Sequence, residues 1–580
     1  MHDQKNLFLA IGLSIAIIVA FQFLFPQQTM ISPQSQQNEE EVQPATTSID
    51  QKQQIDNTAI KTKEEVVAIN DRVIIDAFSL KGSINLKGAI LDDLVLLNYK
   101  ESLEENSKYI NLLSPDQTSN PYYVEIGWKA LSNNTLNVEL PNLDTQWKTT
   151  SKLLSPSSPV ILHWTNNDNI TFKIHFEVDD DYMFQVNQEI ENKSTKTIEV
   201  FPYRLIKRIN RPDTINFFIL HEGLISLLND ELLEKDYDDL SDDCSSTQQN
   251  KSTFCDQKST GGWLGFTDKY WMSVLIPDQN ESIKGEYRHS NTGRDEFIVR
   301  YNGVVFTIES GSSQIYKGKV FAGAKVLKIL NLYQKQYNIL RFNDVIDWGW
   351  FSFLTKPIFS AINWFYGIVG NFGIAIIAFT FLMRLILFPL AHASFKSMAK
   401  MKKLQPEMQR LKELYPNDRK KMQQELMALY KKEGANPIAG CLPIVLQIPI
   451  FFSLYKVLFV TIEMYHAPFY GWIHDLSAPD PVGILTLFGI IAWDVPDLLS
   501  IVNIGILPIL MGTTMWMQQK LNPAPADPMQ AKIFALLPFV FTFILAGFAA
   551  GLVLYWTVNN ILSIAQQWLI QRKILAKKND

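Results

Sequence analysis

Three hydrophobic patterns follow one another along the chain. Leu7 to Phe25 is a charge-free, mostly apolar run of nineteen residues. That length crosses a hydrocarbon core of ~30 Å at ~1.5 Å rise per residue. A cleaved signal peptide has a shorter apolar core and ends in a small-x-small site. This run ends in Phe23-Leu24-Phe25-Pro26-Gln27 and reads as an uncleaved transmembrane anchor over 1–25. Residues 26–65 are dominated by Gln, Ser, Thr, Asn and Glu, with almost no aromatics, and read as a flexible polar linker. From 66 to 340 the period becomes two. Ile170-Thr171-Phe172-Lys173-Ile174-His175-Phe176-Glu177-Val178 alternates at every step, as a half-buried antiparallel strand does. Val73–Leu80, Phe184–Ile190 and Glu296–Ile308 behave alike, between clusters of Gly, Asn and Asp. This predicts one large antiparallel β-sandwich domain.

The third pattern is helical and membrane-like. Phe342–Lys356 mixes Trp348, Trp350, Phe351 and Phe353 with Asp344, Asp347 and Lys356, which predicts an interfacial amphipathic helix over 341–357. Residues 358–580 are then read as a five-helix core. Pro357–Met383, Gly434–Tyr455, Leu498–Gln519 and the 39-residue stretch Ile533–Gln571 carry no charge. The last is long enough for two short spans turning near Gly547 and Gly551. With the N-terminal anchor the expected fold is an α-helical polytopic membrane domain of six transmembrane helices plus a large periplasmic β-sandwich. Pro437, Pro443 and Pro449 interrupt the third span and Pro538 the fifth. Pro481–Trp493 is too short to cross and reads as interfacial or re-entrant.

Charge placement orients the chain. The overall net charge of −6 gives no sign of nucleic-acid binding. Ala391–Glu433 holds eleven Lys/Arg against five acids, and Arg572, Lys573, Lys577 and Lys578 end the chain. Thr461–Ser500 has five acids and no Lys or Arg. The basic side faces the cytoplasm, so both termini lie there and the β-domain lies outside the membrane. Within the basic loop Met398, Met401, Leu404, Met408, Leu411 and Leu414, then Met422, Leu426 and Leu429, recur at three- and four-residue steps. They predict a helical hairpin over 391–436 with an apolar seam. Lys400, Lys420 and Lys421 lie on this arm. It reads either as a solvated coiled coil or as a basic arm for anionic lipid headgroups or ribosomal RNA. Cys244 and Cys255 flank a polar loop and are candidates for a disulfide in an oxidising compartment.

Arg384 is the residue least at home in its surroundings. It sits within Thr380-Phe381-Leu382-Met383-Arg384-Leu385-Ile386-Leu387-Phe388-Pro389. Lys396 is twelve residues on, or ~18 Å of helix. An arginine at mid-bilayer costs ~2.5–3.5 kcal/mol even on the lenient insertion scale. Two readings stand: the side chain snorkels to the headgroups, or it faces a wet cavity between helices. On the last span Tyr555, Trp556, Asn559, Asn560, Ser563, Gln566 and Gln567 share one arc at the helical period. That arc suits a cavity wall or polar glue between helices. Gln447 and Thr380 add to the polar set. No phosphate-binding loop, metal constellation or catalytic triad is present in the sequence. The chain is therefore read as a non-enzyme without cofactor or small-molecule substrate, working through binding and partitioning.

Several segments resemble the YidC/Oxa/Alb family of membrane-protein insertases. They are Asp347-Trp348-Gly349-Trp350, Arg384 with Phe388-Pro389-Leu390, and Ser397-Met398-Ala399-Lys400-Met401. Asn436-Pro437-Ile438-Ala439-Gly440-Cys441-Leu442-Pro443, Gln447-Ile448-Pro449-Ile450-Phe451 and Trp472-Ile473-His474-Asp475-Leu476-Ser477 follow, then Asp527-Pro528-Met529-Gln530 and Gly551-Leu552-Val553-Leu554-Tyr555. The resemblance implies a bacterial inner-membrane insertase and chaperone, acting alone or with the Sec translocon on nascent membrane proteins delivered by the ribosome. It places the family's groove arginine at Arg384, with Thr380, Gln447 and Tyr555 beside it. Two departures stand out. The connection before the fourth span is longer by roughly twenty residues around Gly483–Ser500, and Trp556 stands where a second tyrosine is common. Two rival readings are a channel or transporter using Arg384 as an anion site, and a membrane-anchored periplasmic binding protein.

Overall fold

The computed structural model describes residues 60–130, 138–214, 220–245, 253–291, 293–416, 418–434, 442–491, 493, 495–496, 499, 502–523 and 528–576. The expected N-terminal anchor, the linker up to residue 59, Cys441, Lys577 and Lys578 lie outside the described residues. Two compact units emerge. One holds Ile110–Gly323 with the chain up to Asn98; the other holds Tyr99–Tyr109 and everything from Ala324 onward. The boundary expected at 340 thus falls earlier.

The first unit is a β-sandwich. One sheet runs from Asp256–Thr260 through Ser282–Ser290, Glu296–Asn302, Ile198–Ile209, Tyr122–Ala130, Ile90–Lys100 and Leu80–Asn85 to Arg72–Asp76. The other runs from Glu231–Lys235 through Gly223–Leu228, Trp263–Thr267, Trp271–Pro277, Gly318–Ala324, Met183–Asn192 and Ile170–Val178 to Val160–Thr165. Pairing is antiparallel along the first path and, in the second, from Glu231–Lys235 to Trp271–Pro277 and from Gly318–Ala324 to Val160–Thr165, with a short parallel pair, Ile74–Leu153 and Ile75–Leu154, at one edge of the first. The alternation at Ile170–Val178 is real: its five apolar residues are buried and the intervening four are not. Asn166 makes the preceding turn, its Oδ1 accepting from the N–H groups of Asp168 and Ile170, while Asn169 takes φ 59°. Two of the expected continuous strands are each broken by a turn: Val73–Leu80 after Asp76, and Glu296–Ile308 after Asn302.

Between the sheets lies a fully buried Arg204. It donates to the Val186 carbonyl at 2.6 Å and to the Tyr301 hydroxyl, and lies 5.3 Å from the Tyr316 ring centroid. Gly318 faces its guanidinium, where any Cβ would collide. Cys244 and Cys255 form a disulfide, with Cα atoms 5.7 Å apart.

The second unit is helical. Its helices are α1 (Leu327–Gln336), α2 (Ser352–Val369), α3 (Phe372–Ile386), α4 (Phe388–Lys403), α5 (Gln405–Leu414), α6 (Arg419–Lys432), α7 (Leu442–Val460), α8 (Ile506–Leu521), α9 (Pro528–Ala546) and α10 (Ala550–Ala576). The interfacial helix expected over 341–357 is displaced. Arg341 and Gly349 take φ 48° and 68°, which leaves only a 3-10 turn at Phe342–Val345 before α2 begins. The charge-free run Pro357–Met383 is not one helix either. Gly370 closes α2 in a left-handed conformation, and the Asn371 side chain accepts from the Ile374 N–H to start α3. A second break follows at Leu387, where Pro389 enters the first turn of α4 and α3 and α4 meet at 68°. No single described helix is long and apolar enough to cross a membrane by itself; α3 and α4 together are.

Three residues past α7, Glu463 is half-buried, with one carboxyl oxygen shut off from solvent and the backbone N–H of Leu327, at the start of α1, near the carboxyl. Burial pushes this carboxyl up to about 7 from its ordinary 4.5, against the pull of its backbone hydrogen bonds. A raised carboxyl favours the protonated fold. The group's stabilisation is full below the ordinary value and is lost as pH rises through about 7. Glu463→Gln keeps an acceptor for Leu327 and removes the ionisation. The variant is expected to match the parent in thermal unfolding at pH 4, below the ordinary carboxyl value, and to exceed it at pH 8, by on the order of 3 kcal/mol. Identical pH dependence in the two proteins would refute the assignment.

Candidate functional site

Arg384 comes two residues before the end of α3. The ~18 Å path to Lys396 presumed a straight helix, and the bend at Leu387 removes it. Arg384 turns to α10 instead. Its Nε donates to Asn559 Oδ1 at 3.0 Å, and its Nη2 to the Asn559 carbonyl at 3.2 Å and to Ser563 Oγ. Ser563 passes its own proton to the Asn559 carbonyl at 2.7 Å. All these acceptors are neutral. Among the described residues no carboxylate pairs with Arg384, and Nη1 makes no hydrogen bond. The side chain is only half-buried, so a cation with two unused N–H donors faces outward.

The polar arc on α10 has two jobs. Asn559 and Ser563 hold Arg384. Asn560 donates to Thr514 Oγ1 at 3.2 Å, Gln567 to Asn522 Oδ1 at 2.9 Å, and Gln571 to the Leu521 carbonyl at 2.9 Å. These three tie α10 to the α8 side as interhelical glue, while Asn559 and Ser563 serve Arg384. Thr380 does not join Arg384. It is buried and returns its hydroxyl to the Ile376 carbonyl at 2.6 Å, one turn back on its own helix. Gln447 donates to the Tyr555 hydroxyl, joining α7 to α10. Trp556 packs on Phe451 and Phe541, with ring centroids at 4.7 and 5.9 Å, and Phe451 stacks on Tyr455. The wall next to the polar set is therefore aromatic.

The expected hairpin is α5 and α6. Its seam packs Leu404 and Tyr430 with Met401, Met408, Leu426 and Leu429. Met398 is not in that seam; it packs with Ala391, Phe395 and Ile570 of α10. Lys400 is also structural, donating to the Gly434 carbonyl at 3.2 Å just past α6. Lys420 is exposed, and Lys421 lies 5.4 Å from the Tyr415 ring centroid. Sequence reasoning missed Lys456, which pairs with Asp347 at 2.5 Å with little of either side chain exposed. A lysine directly after a charge-free run was a visible signal; which acid it would meet was not.

Two family models divide the chain between them, meeting between residues 361 and 364. The 60Kd inner membrane protein family matches residues 364–578, and the YidC periplasmic domain family matches 72–361. The membrane protein insertase YidC of Granulibacter bethesdensis is 44% identical over 98% of each chain. That of Rickettsia rickettsii is 44% identical over 98% of this chain and 99% of its own. That of Methylorubrum extorquens is 41% identical over 99% and 96%. Among solved structures, a YidC insertase crystal structure aligns over 86% of this chain and 92% of its own, with 17% identity and a TM-score of 0.36. A galactose mutarotase-like protein from Lactobacillus casei covers 43% of this chain and 99% of its own, with 11% identity and a TM-score of 0.29. The chain belongs to the YidC family of membrane protein insertases, inner-membrane proteins with a periplasmic domain.

Proposed function

We propose that Arg384, Gln447, Tyr555, Trp556, Asn559 and Ser563 line a hydrophilic groove open to the cytoplasm and to lipid, with Thr380 beneath it. The observation that carries this reading is a half-buried guanidinium held by neutral acceptors and keeping unused donors. Such a charge attracts acidic or polar groups in the extracytoplasmic tail of an incoming polypeptide. The tail then meets less than the full hydrocarbon thickness. The apolar helix of the substrate slides along the aromatic wall of Phe451, Tyr455 and Trp556 into lipid, and its partitioning drives the step. Binding and partitioning suffice, with no bond-making chemistry.

In this reading α3 with α4, α7, α8, α9 and α10 are five spans that join the N-terminal anchor to make six, and both termini are cytoplasmic. The basic hairpin and the C-terminal tail meet the ribosome and anionic lipid, and the Sec translocon is a partner for longer substrates. Exposed Lys420 and Lys421 are the better contacts on the hairpin, since Met398, Lys400, Met401 and Met408 are used in its packing. The test is a photocrosslinker at half-buried Trp556 or exposed Leu385 during synthesis of a membrane protein. Crosslinks to the nascent span are expected at both. Solute flux through proteoliposomes with no nascent-chain crosslinks would replace this reading with a channel.

A further inference from the structure

The lengthened connection before α8 is a built feature. Gly483 pairs with Gly505, closing the segment at its base directly before α8. Asp480 clamps that base, accepting from the Val482 N–H at 3.1 Å, the Leu507 N–H at 2.8 Å and Trp472 Nε1 at 3.1 Å. Asn503 accepts from the Leu485 N–H at 3.0 Å. At the tip Leu487, Phe488 and Gly489 take φ 44°, 58° and 85° in succession. Bulky residues rarely adopt that conformation, and it persists only where the surroundings impose it.

Two properties of the tip belong together. Its side chains are apolar and exposed: Ile484, Leu487, Phe488, Ile490, Ile491 and Trp493, with Ile490 at 84%. Most of its N–H groups are paired within the loop. The N–H groups of Leu487, Phe488, Gly489, Ile490 and Ile491 all donate to carbonyls between Gly483 and Leu487. A loop meant for water has no need of either. A loop lying at the headgroup–acyl boundary gains from both, because that layer favours exposed apolar side chains and each N–H paired within the loop is one fewer to desolvate. The surface is also continuous along the chain with α8, which exposes Leu510, Trp516 and Met517. No Lys or Arg lies between Thr461 and Ser500 to engage anionic headgroups.

We infer that the tip at Ile484–Ile491, with Trp493 at its edge, is a monotopic anchor seated at the headgroup–acyl boundary of the extracytoplasmic leaflet, with its apolar side chains reaching the first acyl carbons. It fixes the depth of the α8 end of the insertase. The inference rests on reading α8 as a span that begins on the extracytoplasmic side.

The test uses the full chain with Cys441→Ala and Ile490→Cys, labelled with an environment-sensitive fluorophore. Residue 490 is so exposed that the label disturbs no packing. The protein is reconstituted in phosphatidylcholine–phosphatidylglycerol vesicles carrying acyl-chain nitroxides. The expected result is blue-shifted emission, quenched severalfold by the nitroxide lipids, while a label at exposed Lys335→Cys is not quenched. Water-like emission without quenching overturns the anchor. Blue-shifted emission without quenching also overturns it, since protein then covers the tip. Sidedness is read separately from reaction of Lys335→Cys with an impermeant maleimide on spheroplasts. No reaction there refutes the orientation itself; reaction there with no quenching at 490 refutes the anchor alone.

Discussion

Arg384→Gln is expected to cut insertion of substrates with acidic extracytoplasmic tails at least about tenfold and to leave neutral-tailed substrates nearly unchanged. The magnitude follows from charge in a partly wet site. Opposite unit charges 4 Å apart attract by ~1 kcal/mol in bulk water and ~4 kcal/mol at the effective dielectric near a protein surface. Tenfold corresponds to about 1.4 kcal/mol, at the low end of that range. Arg384→Lys keeps the charge and loses the fork that lets one side chain bond Asn559 and Ser563 while presenting Nη1. It is expected to recover part of the activity. Asn559→Ala is expected to weaken insertion less than Arg384→Gln, because the charge stays and only its aim is lost. Protease protection of radiolabelled substrates differing only in tail charge reads all three. Equal losses for acidic and neutral tails would show that Arg384 acts through the fold, and parental rates throughout would remove the electrostatic step.

Asp347→Ala is expected to be the most damaging single change outside the groove. Lys456 and Asp347 meet at 2.5 Å, with side-chain exposures of 9% and 17%. Gly349, at φ 68°, brings the backbone to the Lys456 stem, where a Cβ would sit 3.3 Å from its Cε. Removing the carboxylate strands a buried ammonium, at a cost of about 3 kcal/mol or more. That is a fall of several degrees in the unfolding temperature of the helical unit in detergent. The double variant Asp347→Ala with Lys456→Met removes both charges and is expected to recover most of the loss. The α2–α7 connection then shows a coupling that single variants cannot. Simple additivity of the two losses would mean that the residues are neighbours without being partners.

How far the sequence carries depends on the kind of physics that each feature obeys. Ile170–Val178 was legible because a half-buried strand has period two and a helix does not. The methionine and leucine seam of α5 and α6 was legible for the same reason at the helical period. Arg384 was legible as an anomaly because charge and hydrocarbon are incompatible wherever the chain goes. The breaks were partly legible. Gly370-Asn371 and Leu387-Phe388-Pro389 carry ordinary cap and proline signals, but a count of charge-free residues passes over them. One expected span therefore became two helices, α2 of 18 residues and α3 of 15.

Partner choice was not legible. Asn559, Asn560, Ser563 and Gln567 share one arc at the helical period, yet two face Arg384 and two face the α8 side. The period fixes the angle of a side chain about its own axis and says nothing of which neighbour stands there. Thr380 shows the same limit: it is one turn from Arg384, but its hydroxyl turned back to its own helix. Met398 was expected in the seam of the hairpin and packs against α10 instead, and Lys400 donates to the Gly434 carbonyl past α6. The sequence by itself determined the order of sheets and apolar helices and the presence of one arginine in an apolar run. These are properties of local periodicity and of the solvent. Only the tertiary structure decided that Arg384 bonds to neutral acceptors with donors to spare, and that Lys456 finds Asp347. It also decided that an apolar loop presents its side chains while pairing five of its own N–H groups. Each of these depends on distances between residues far apart in the chain or on backbone angles that no residue pattern specifies.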